Sequence, residues 1–379
     1  MIKSLLKNLQ FKALLFVFLI GNFHLYAQSE WVVLGEESQI ASAASNYTSI
    51  ITINENGVVI PYVAFTETSI PKVKKFVDGA WIQVGPNVST TNASYLTLAV
   101  DGNQKLYVQY IDVSAGNKLA VKVYDSISDT WVAAANSLHA SVGSAITGQT
   151  DERIPYNNAI SFDSQNVPFV AFGEFSNGGN AWVKKLVNGE WTTVGSGSIN
   201  TVDRTNTIDI DFTSNDIPYV VYHENTTAGK IKAFRFINNA WEDLNVPETF
   251  TTGARTTRLA IDKLTNKVFL NYSNASSGTV ATAILYENGA WKALGGRIGS
   301  GSAAAYTSTI TDKKGNLYAF FRDQMSNSNG TYRARLHEFA AGSKSWSEVG
   351  SGGGFDGPVN GYTSFSMGSD NNVYLVYLK

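Results

Sequence analysis

Seven of the eight tryptophans fall at near-regular intervals, and no other feature limits the fold of this chain as much. They stand at positions 31, 81, 131, 191, 241, 291 and 346, in steps of 50, 50, 60, 50, 50 and 55 residues. Four of them end the same short phrase: Val77-Asp78-Gly79-Ala80-Trp81, Val187-Asn188-Gly189-Glu190-Trp191, Ile237-Asn238-Asn239-Ala240-Trp241 and Glu287-Asn288-Gly289-Ala290-Trp291. Looser copies end at Trp131 and Trp346, and residues 31–35 repeat only the tail that follows the phrase. A period of this size, carried by strand-forming residues, predicts an all-β ring of repeated sheets, a β-propeller. One unit of that kind cannot bury its own apolar face and must stack on its neighbours.

Within one period the pattern reads as four short strands. In the second copy they are expected at residues 95–100, 105–110, 119–124 and 130–134, and the second strand of each copy closes on an aromatic: Phe65, Tyr110, Phe172, Tyr222, Tyr272, Phe321 and Tyr377. Asp-Gly and Asn-Gly as two-residue loops favour type I′ turns, so the strand before each tryptophan and the strand that contains it are hairpin partners. This phasing predicts a seven-bladed propeller in one domain spanning 28–379. Its blades fall at about 47–85, 95–135, 157–195, 206–245, 257–295, 306–350 and 362–379. The seventh is expected to take residues 31–35 as its outer strand, which removes an open sheet edge. It then lacks a third strand, so either about ten further residues follow Lys379 or that blade is incomplete.

Residues 1–27 read as a cleavable export signal: Lys3, Lys7 and Lys12 precede an apolar run from Ala13 to Ile20, and Leu25-Tyr26-Ala27 precedes Gln28. The run is shorter than the roughly 20 residues that span a bilayer. The chain has no cysteine, which excludes disulfides, zinc thiolates and a lipidated N-terminal cysteine. A net charge of −2 with 16% charged residues argues against nucleic acid as partner. The expectation is a monomer exported to periplasm or medium, with no membrane span and no cofactor. Serine-hydrolase elbows, phosphate loops and paired metal-binding histidines are absent from the sequence.

With a hydrophobic strand, an Asp/Asn-Gly turn and then tryptophan in each unit, the chain resembles the secreted bacterial propellers of the sialidase-type, Asp-box repeat class. That class carries Ser-x-Asp-x-Gly-x-Thr-Trp at the same turn. Here Val77-Asp78-Gly79-Ala80-Trp81 is shorter and lacks the serine, and the copies ending at Trp131 and Trp346 lack Asp-Gly and Asn-Gly. The resemblance implies the fold over nearly all of the mature chain. It does not carry over the sialidase arginine triad, which has no counterpart placed here. In shape the chain is also similar to seven-bladed lectins and polysaccharide lyases, and fold does not fix function.

Residues that break the repeat are the candidates for function. The recurring tryptophans, at a fixed place beside a turn, are expected to pad the contacts between blades. Trp182 stands outside the repeat at a strand end and is either a sugar-stacking platform or packing. Acidic residues recur after the second-strand aromatic (Glu67, Asp112, Glu174, Glu224, Asp323), and bases populate the next strand (Lys72, Lys118, Lys184, Lys230, Arg333). The fifth blade has neither, reading Asn274 and then no charge before Glu287, so the two sets are expected to form exposed hairpin ion pairs worth about 0–1 kcal/mol. The linker between blades two and three is about ten residues longer than its equivalents and carries His139, Arg153 and Tyr156. His223 and Arg322 replace neutral residues at the ends of second strands. Arg204 and Arg255 precede inner strands, and Tyr47, Tyr95, Tyr306 and Tyr362 open them. Aromatics with convergent arginines suit a polysaccharide or cell-surface glycan bearing carboxylate or sulfate. Asp209 and Asp211 alternate on one inner strand and are weak candidates for a cation. The function expected is glycan binding on the face of the inter-blade loops. The alternative is a polysaccharide lyase with His223 or a mouth tyrosine as base and Arg322 or Arg204 neutralising a uronate.

Overall fold

The structure is a computed structural model that describes residues 31–35, 40–135, 158–174, 179–199, 205–224, 229–251, 253–274, 280–299, 304–324, 332–350, 359 and 361–378. Among these, six four-stranded antiparallel sheets follow one another along the chain. Blade 1 is β1 (Ser45–Glu55), β2 (Val58–Glu67), β3 (Ile70–Val77) and β4 (Ala80–Gln83). Blade 2 is β5 (Ala93–Val100), β6 (Leu106–Asp112), β7 (Lys118–Asp125) and β8 (Thr130–Ala133). Blade 3 is β9 (Asn158–Phe162), β10 (Pro168–Glu174), β11 (Asn180–Val187) and β12 (Glu190–Thr193). Blade 4 is β13 (Thr205–Phe212), β14 (Pro218–Glu224), β15 (Ile231–Ile237) and β16 (Ala240–Asp243). Blade 5 is β17 (Ala254–Ile261), β18 (Val268–Asn274), β19 (Val280–Glu287) and β20 (Ala290–Ile298). Blade 6 is β21 (Ala305–Thr311), β22 (Leu317–Gln324), β23 (Tyr332–Phe339) and β24 (Ser347–Glu348). A two-stranded sheet, β25 (Gly361–Met367) with β26 (Val373–Leu378), completes the order.

The hairpin turns have the expected geometry. Both central residues take positive φ at Asp78 and Gly79 (51° and 82°), Asn188 and Gly189 (51° and 80°), Asn238 and Asn239 (50° and 62°), and Asn288 and Gly289 (53° and 79°). That is the type I′ signature, whose twist matches the flanking strands.

The blade count departs from expectation: six blades are present, not seven. The last two strands stand as a two-stranded sheet, and residues 31–35 are not a strand. A strand is defined by a ladder of backbone bonds, and among the described residues no third strand lies beside residues 31–35 to form one. A one-turn helix, α1 (Glu248–Thr251), also lies where no helix was expected.

Two sets of bonds join neighbouring sheets. Around the channel, short polar side chains of one inner strand reach the backbone of its neighbour. Ser49 Oγ accepts from Leu98 N–H at 3.0 Å, Asp209 Oδ2 from Leu259 N–H at 3.0 Å and Asp211 Oδ2 from Ile261 N–H at 3.2 Å. β25 is stitched in the same way on both sides, with Ser364 Oγ accepting from Ile50 N–H at 3.2 Å and Thr363 Oγ1 donating to Tyr306 O at 2.8 Å. At the outer edge, four of the recurring indole N–H groups reach the preceding blade: Trp131 to Val84 O (3.0 Å), Trp241 to Val194 O (3.0 Å), Trp291 to Leu244 O (3.0 Å) and Trp346 to Leu294 O (2.9 Å). Trp81 donates to Leu34 O at 3.2 Å, so residues 31–35 stand where the end of a preceding outer strand would be. A Cβ built on Gly350, whose φ is +94°, would overlap the Trp31 ring. Apolar side chains from adjacent sheets fill the space between them, as in the cluster that joins Val73 and Ala64 of blade 1 to Leu98, Val108 and Tyr110 of blade 2.

Candidate functional site

Five inner strands start with a register break, and the residue placed in it has positive φ although it is not glycine. These are Tyr47 (51°), Tyr95 (48°), Thr207 (29°), Thr256 (44°) and Tyr306 (54°). A β-bulge bends its strand and re-aims a side chain, and left-handed backbone at a bulky residue carries strain that the surroundings must hold. The bulges ring one end of the channel, and their side chains differ around it. Blades 4 and 5 place threonines there. Blades 1, 2 and 6 place tyrosines.

In blades 4, 5 and 6 a residue near the end of the second strand meets this bulge, which accounts for both breaks in the repeat. In blade 4, Thr207 Oγ1 lies 2.6 Å from His223 Nδ1 and accepts Thr257 N–H at 3.1 Å. In blade 5, Thr256 and Ser273 hydroxyls are 3.0 Å apart. In blade 6, the Arg322 guanidinium lies 4.6 Å from the centre of the Tyr306 ring and 4.2 Å from that of Tyr332. Between blades 1 and 2, Tyr47 and Tyr95 pack with ring centres 5.1 Å apart. Tyr47 and Tyr306 line one cavity, so the aromatics form an arc on one side of the mouth. Tyr332 is absent from the sequence-based set. Its signal was diagonal placement: Gln324 pairs with Tyr332, two residues beyond Arg322 on the same face.

His223 is brought to this end of the channel, but not as an accessible base. It is 5% exposed, and burial, reinforced by the nearby Arg255 charge, lowers its imidazole to about 3. His337, stacked on Phe321, is lowered to about 4 by burial and then by Arg335. Both rings are neutral in the fold, and an unfolded histidine titrates near 6.5. Their contribution to stability is therefore complete above that value and is lost as pH falls towards 4 and 3. Unfolding free energy is expected to drop between pH 6.5 and 4 with a slope nearing about 1.4 kcal/mol per pH unit for each histidine. Urea titrations of His223→Gln should show a shallower slope; an unchanged profile would rule out buried neutral His223 as a cause.

The recurring acids differ from expectation. Glu67, Asp112, Glu174, Glu224 and Asp323 are buried rather than exposed, because each second strand runs on to include them and the next blade covers that face. Glu67 is held down to about 2 by its bond with Lys72, and it accepts Ser42 N–H at 2.7 Å. Glu224 meets Lys232 (3.8 Å) rather than Lys230, which pairs with Glu248. Asp323 meets Arg335 (3.5 Å), although Arg333 is its cross-strand neighbour. Of the five acids, Glu67, Glu224 and Asp323 thus have an ionic partner on the next strand, inside the fold, and only Glu67 has the expected one.

Of the remaining candidates, Trp182 packs between blades 2 and 3 opposite Phe172. Arg255 is exposed beside His223. Asp209 and Asp211 hold backbone N–H groups of blade 5, with Arg258 and Lys263 as ionic partners at 4.0 and 2.6 Å. Among the described residues no cluster of three or more His, Asp or Glu could hold a metal. His139, Arg153, Tyr156 and Arg204 lie outside the described residues, as does the segment 1–30, and Tyr362 is placed only as the second residue of β25.

No protein-family model matches the chain, and no curated protein matches it in sequence. Solved structures do. A fungal lectin from Aleuria aurantia, described as a six-bladed β-propeller with a novel fucose recognition mode, is 16% identical with a TM-score of 0.52, covering 82% of this chain and 97% of that one. An ulvan lyase of polysaccharide lyase family 25, bound to a GlcA(1-4)Rha3S unit, is 13% identical with a TM-score of 0.52, covering 86% and 88%. A protein of unknown function from Dyadobacter fermentans is 10% identical with a TM-score of 0.50, covering 82% and 98%. The fold is a β-propeller. At these identities the likeness reaches no further than the fold. No helix among the described residues is long and apolar enough to cross a membrane.

Proposed function

We propose that this propeller is an exported glycan-binding protein whose site is the mouth ringed by the bulged strands, and that its ligand carries carboxylate or sulfate. The observation that carries this reading is the Arg322 guanidinium lying over the rings of Tyr306 and Tyr332. A guanidinium in contact with two aromatic rings has less freedom than one in water, and its N–H edge matches an anionic oxygen pair. Tyr47 and Tyr95 extend the arc with flat, partly exposed rings of the kind that sugars stack on. The fucose-binding lectin and the ulvan lyase support it by analogy of fold alone. The same reading includes cleavage of residues 1–27, a monomer, closure of the ring by residues 31–35, and kinship at the level of fold with the sialidase-type repeat class. The longer linker with His139, Arg153 and Tyr156, together with Arg204, Arg255 and Tyr362, would border the same face.

A panel of neutral, uronate and sulfated polysaccharides tests the proposal. Arg322→Ala is expected to weaken the retained ligand about 10- to 100-fold, the loss of one or two charged hydrogen bonds. Arg322→Lys should restore little, because a point charge replaces a planar fork. Added salt should weaken the wild type in the same direction. Retention unchanged in both variants would remove the site from this mouth. The alternative is a lyase, in which the same guanidinium would neutralise a uronate carboxylate. It requires new unsaturated ends, read by ultraviolet absorbance, and their absence with every uronate substrate rejects it.

A further inference from the structure

The turns between first and second strands stand at the end of the channel opposite the mouth, and there neighbouring turns are tied together. Asn166 Oδ1 accepts Gly102 N–H at 2.6 Å, Asp216 Oδ1 accepts Ser164 N–H at 2.7 Å, and Asn266 Oδ1 accepts Ser214 N–H at 2.8 Å. These acceptors have left-handed backbone, with φ of 62°, 59° and 56°, and Asn371 holds the same place in the last sheet with φ of 63°. Between blade 6 and that sheet, Lys313, the counterpart of Gly102, and Asn371 line a cleft of about 290 Å³. Asp312, Ser369 and, from blade 1, Thr52 and Asn54 share the lining. The walls are fixed by bonds of their own. Asp312 Oδ1 accepts Lys314 N–H and Asn316 N–H, both at 2.8 Å, and Asp370 Oδ1 accepts Asn372 N–H at 3.0 Å. Asn54 Nδ2 donates to Ser369 Oγ at 2.9 Å, and Thr52 Oγ1 donates to Met367 O at 3.0 Å. A ligand entering a cleft with ordered walls has little ordering cost to overcome.

We propose that this cleft binds a single neutral sugar residue, so that the protein carries a second glycan site on the face opposite the mouth. Its lining combines an ammonium, a carboxylate, hydroxyls and two amides. Donors and acceptors side by side are the set that vicinal sugar hydroxyls satisfy. One charge of each sign leaves no net charge, so an isolated anion or cation gains less there than a polyol does. The volume is at the lower end of the roughly 300–1,000 Å³ of small-molecule sites, room for one ring rather than a chain of them. With the mouth at the other end of the inner strands, the two sites would face in opposite directions and bridge two glycan chains. The cleft shares no lining residue with the mouth, and neither site needs the other.

The test uses the full chain and the methyl glycosides of glucose, galactose, mannose and fucose, followed by ligand-observed NMR. Saturable binding of at least one of them in the millimolar range is expected. Asn371→Gly removes an amide and keeps the left-handed turn, and Lys313→Met removes the ammonium and keeps the stem. Both positions are exposed, so the fold should tolerate either change. Each should weaken the binding about tenfold, the worth of one hydrogen bond. Both should leave retention of anionic polysaccharide at the mouth as in the wild type. No saturable binding by any of the four glycosides overturns the proposal. So does binding that is unchanged in either variant, or binding that Arg322→Ala abolishes, since it would then belong to the mouth. Glycosides that bind in this way while no polysaccharide is retained would uphold the cleft and remove the mouth.

Discussion

Replacing Trp131 by alanine is expected to destabilise the protein by about 3–5 kcal/mol, the range for deleting a buried aromatic. The side chain is 7% exposed and belongs to the core between blades 1 and 2. Its ring packs on Tyr124 at 5.2 Å, and its N–H donates to Val84 O at 3.0 Å. Alanine would open a cavity in a contact between blades and leave that carbonyl without its donor. Trp131→Phe should keep most of the burial and lose mainly the bond, a cost of about 1 kcal/mol. Trp241 and Trp291 occupy the same place but are only partly buried, so their alanine variants should lose less than Trp131→Ala. Chemical denaturation measures all of these. Loss of glycan retention without loss of stability would show that the tryptophans face a ligand instead.

Deleting residues 28–35 should lower the melting temperature by roughly 5–10 °C, at about 2–4 °C for each kcal/mol lost. The segment provides the carbonyl that accepts from Trp81, and it brings Trp31 against Gly350. Without it, two sheets lose their outer contact and an apolar flank faces water, so aggregation should rise as well. Gly350→Val should act in the same direction with the segment present. Its φ is +94°, and any Cβ there meets the Trp31 ring. A deletion product that stays monomeric with an unchanged melting temperature would show that residues 31–35 do not close the ring.

What could be read in the sequence was what local chemistry dictates. Asp78-Gly79 and its copies specify a turn, the turn specifies a hairpin, and the hairpin sets the place of each tryptophan. Blade number was less accessible: counting tryptophans counts outer-strand ends, and Trp31 marks such an end without a ladder beside it. The acids were misread as exposed because strand ends were drawn two residues short, which turned Glu67 and Asp112 into loop residues. His223 and Arg322 did stand out, since each breaks a repeat. Their cause did not, because Thr207 and Tyr306 meet them only through a bulge. A bulge is a property of register between two strands, and one strand's sequence does not display it.

The indole contact that spans the two ends of the chain has a consequence for how the molecule comes into being. Leu34 receives Trp81 early, but Trp31 rests against Gly350, and Ile50 is bonded to Ser364, 314 residues further on. The first of the described residues to be synthesised are thus among the last to find their place. Until blade 6 and β25 emerge, one flank of blade 1 is bare, and the chain crosses the interval as an open crescent. The length of that interval depends on how fast the remaining blades are delivered and not on the stability of the finished ring. A substitution that slows the final sheet would therefore reduce yield while leaving the melting temperature of the surviving molecules untouched.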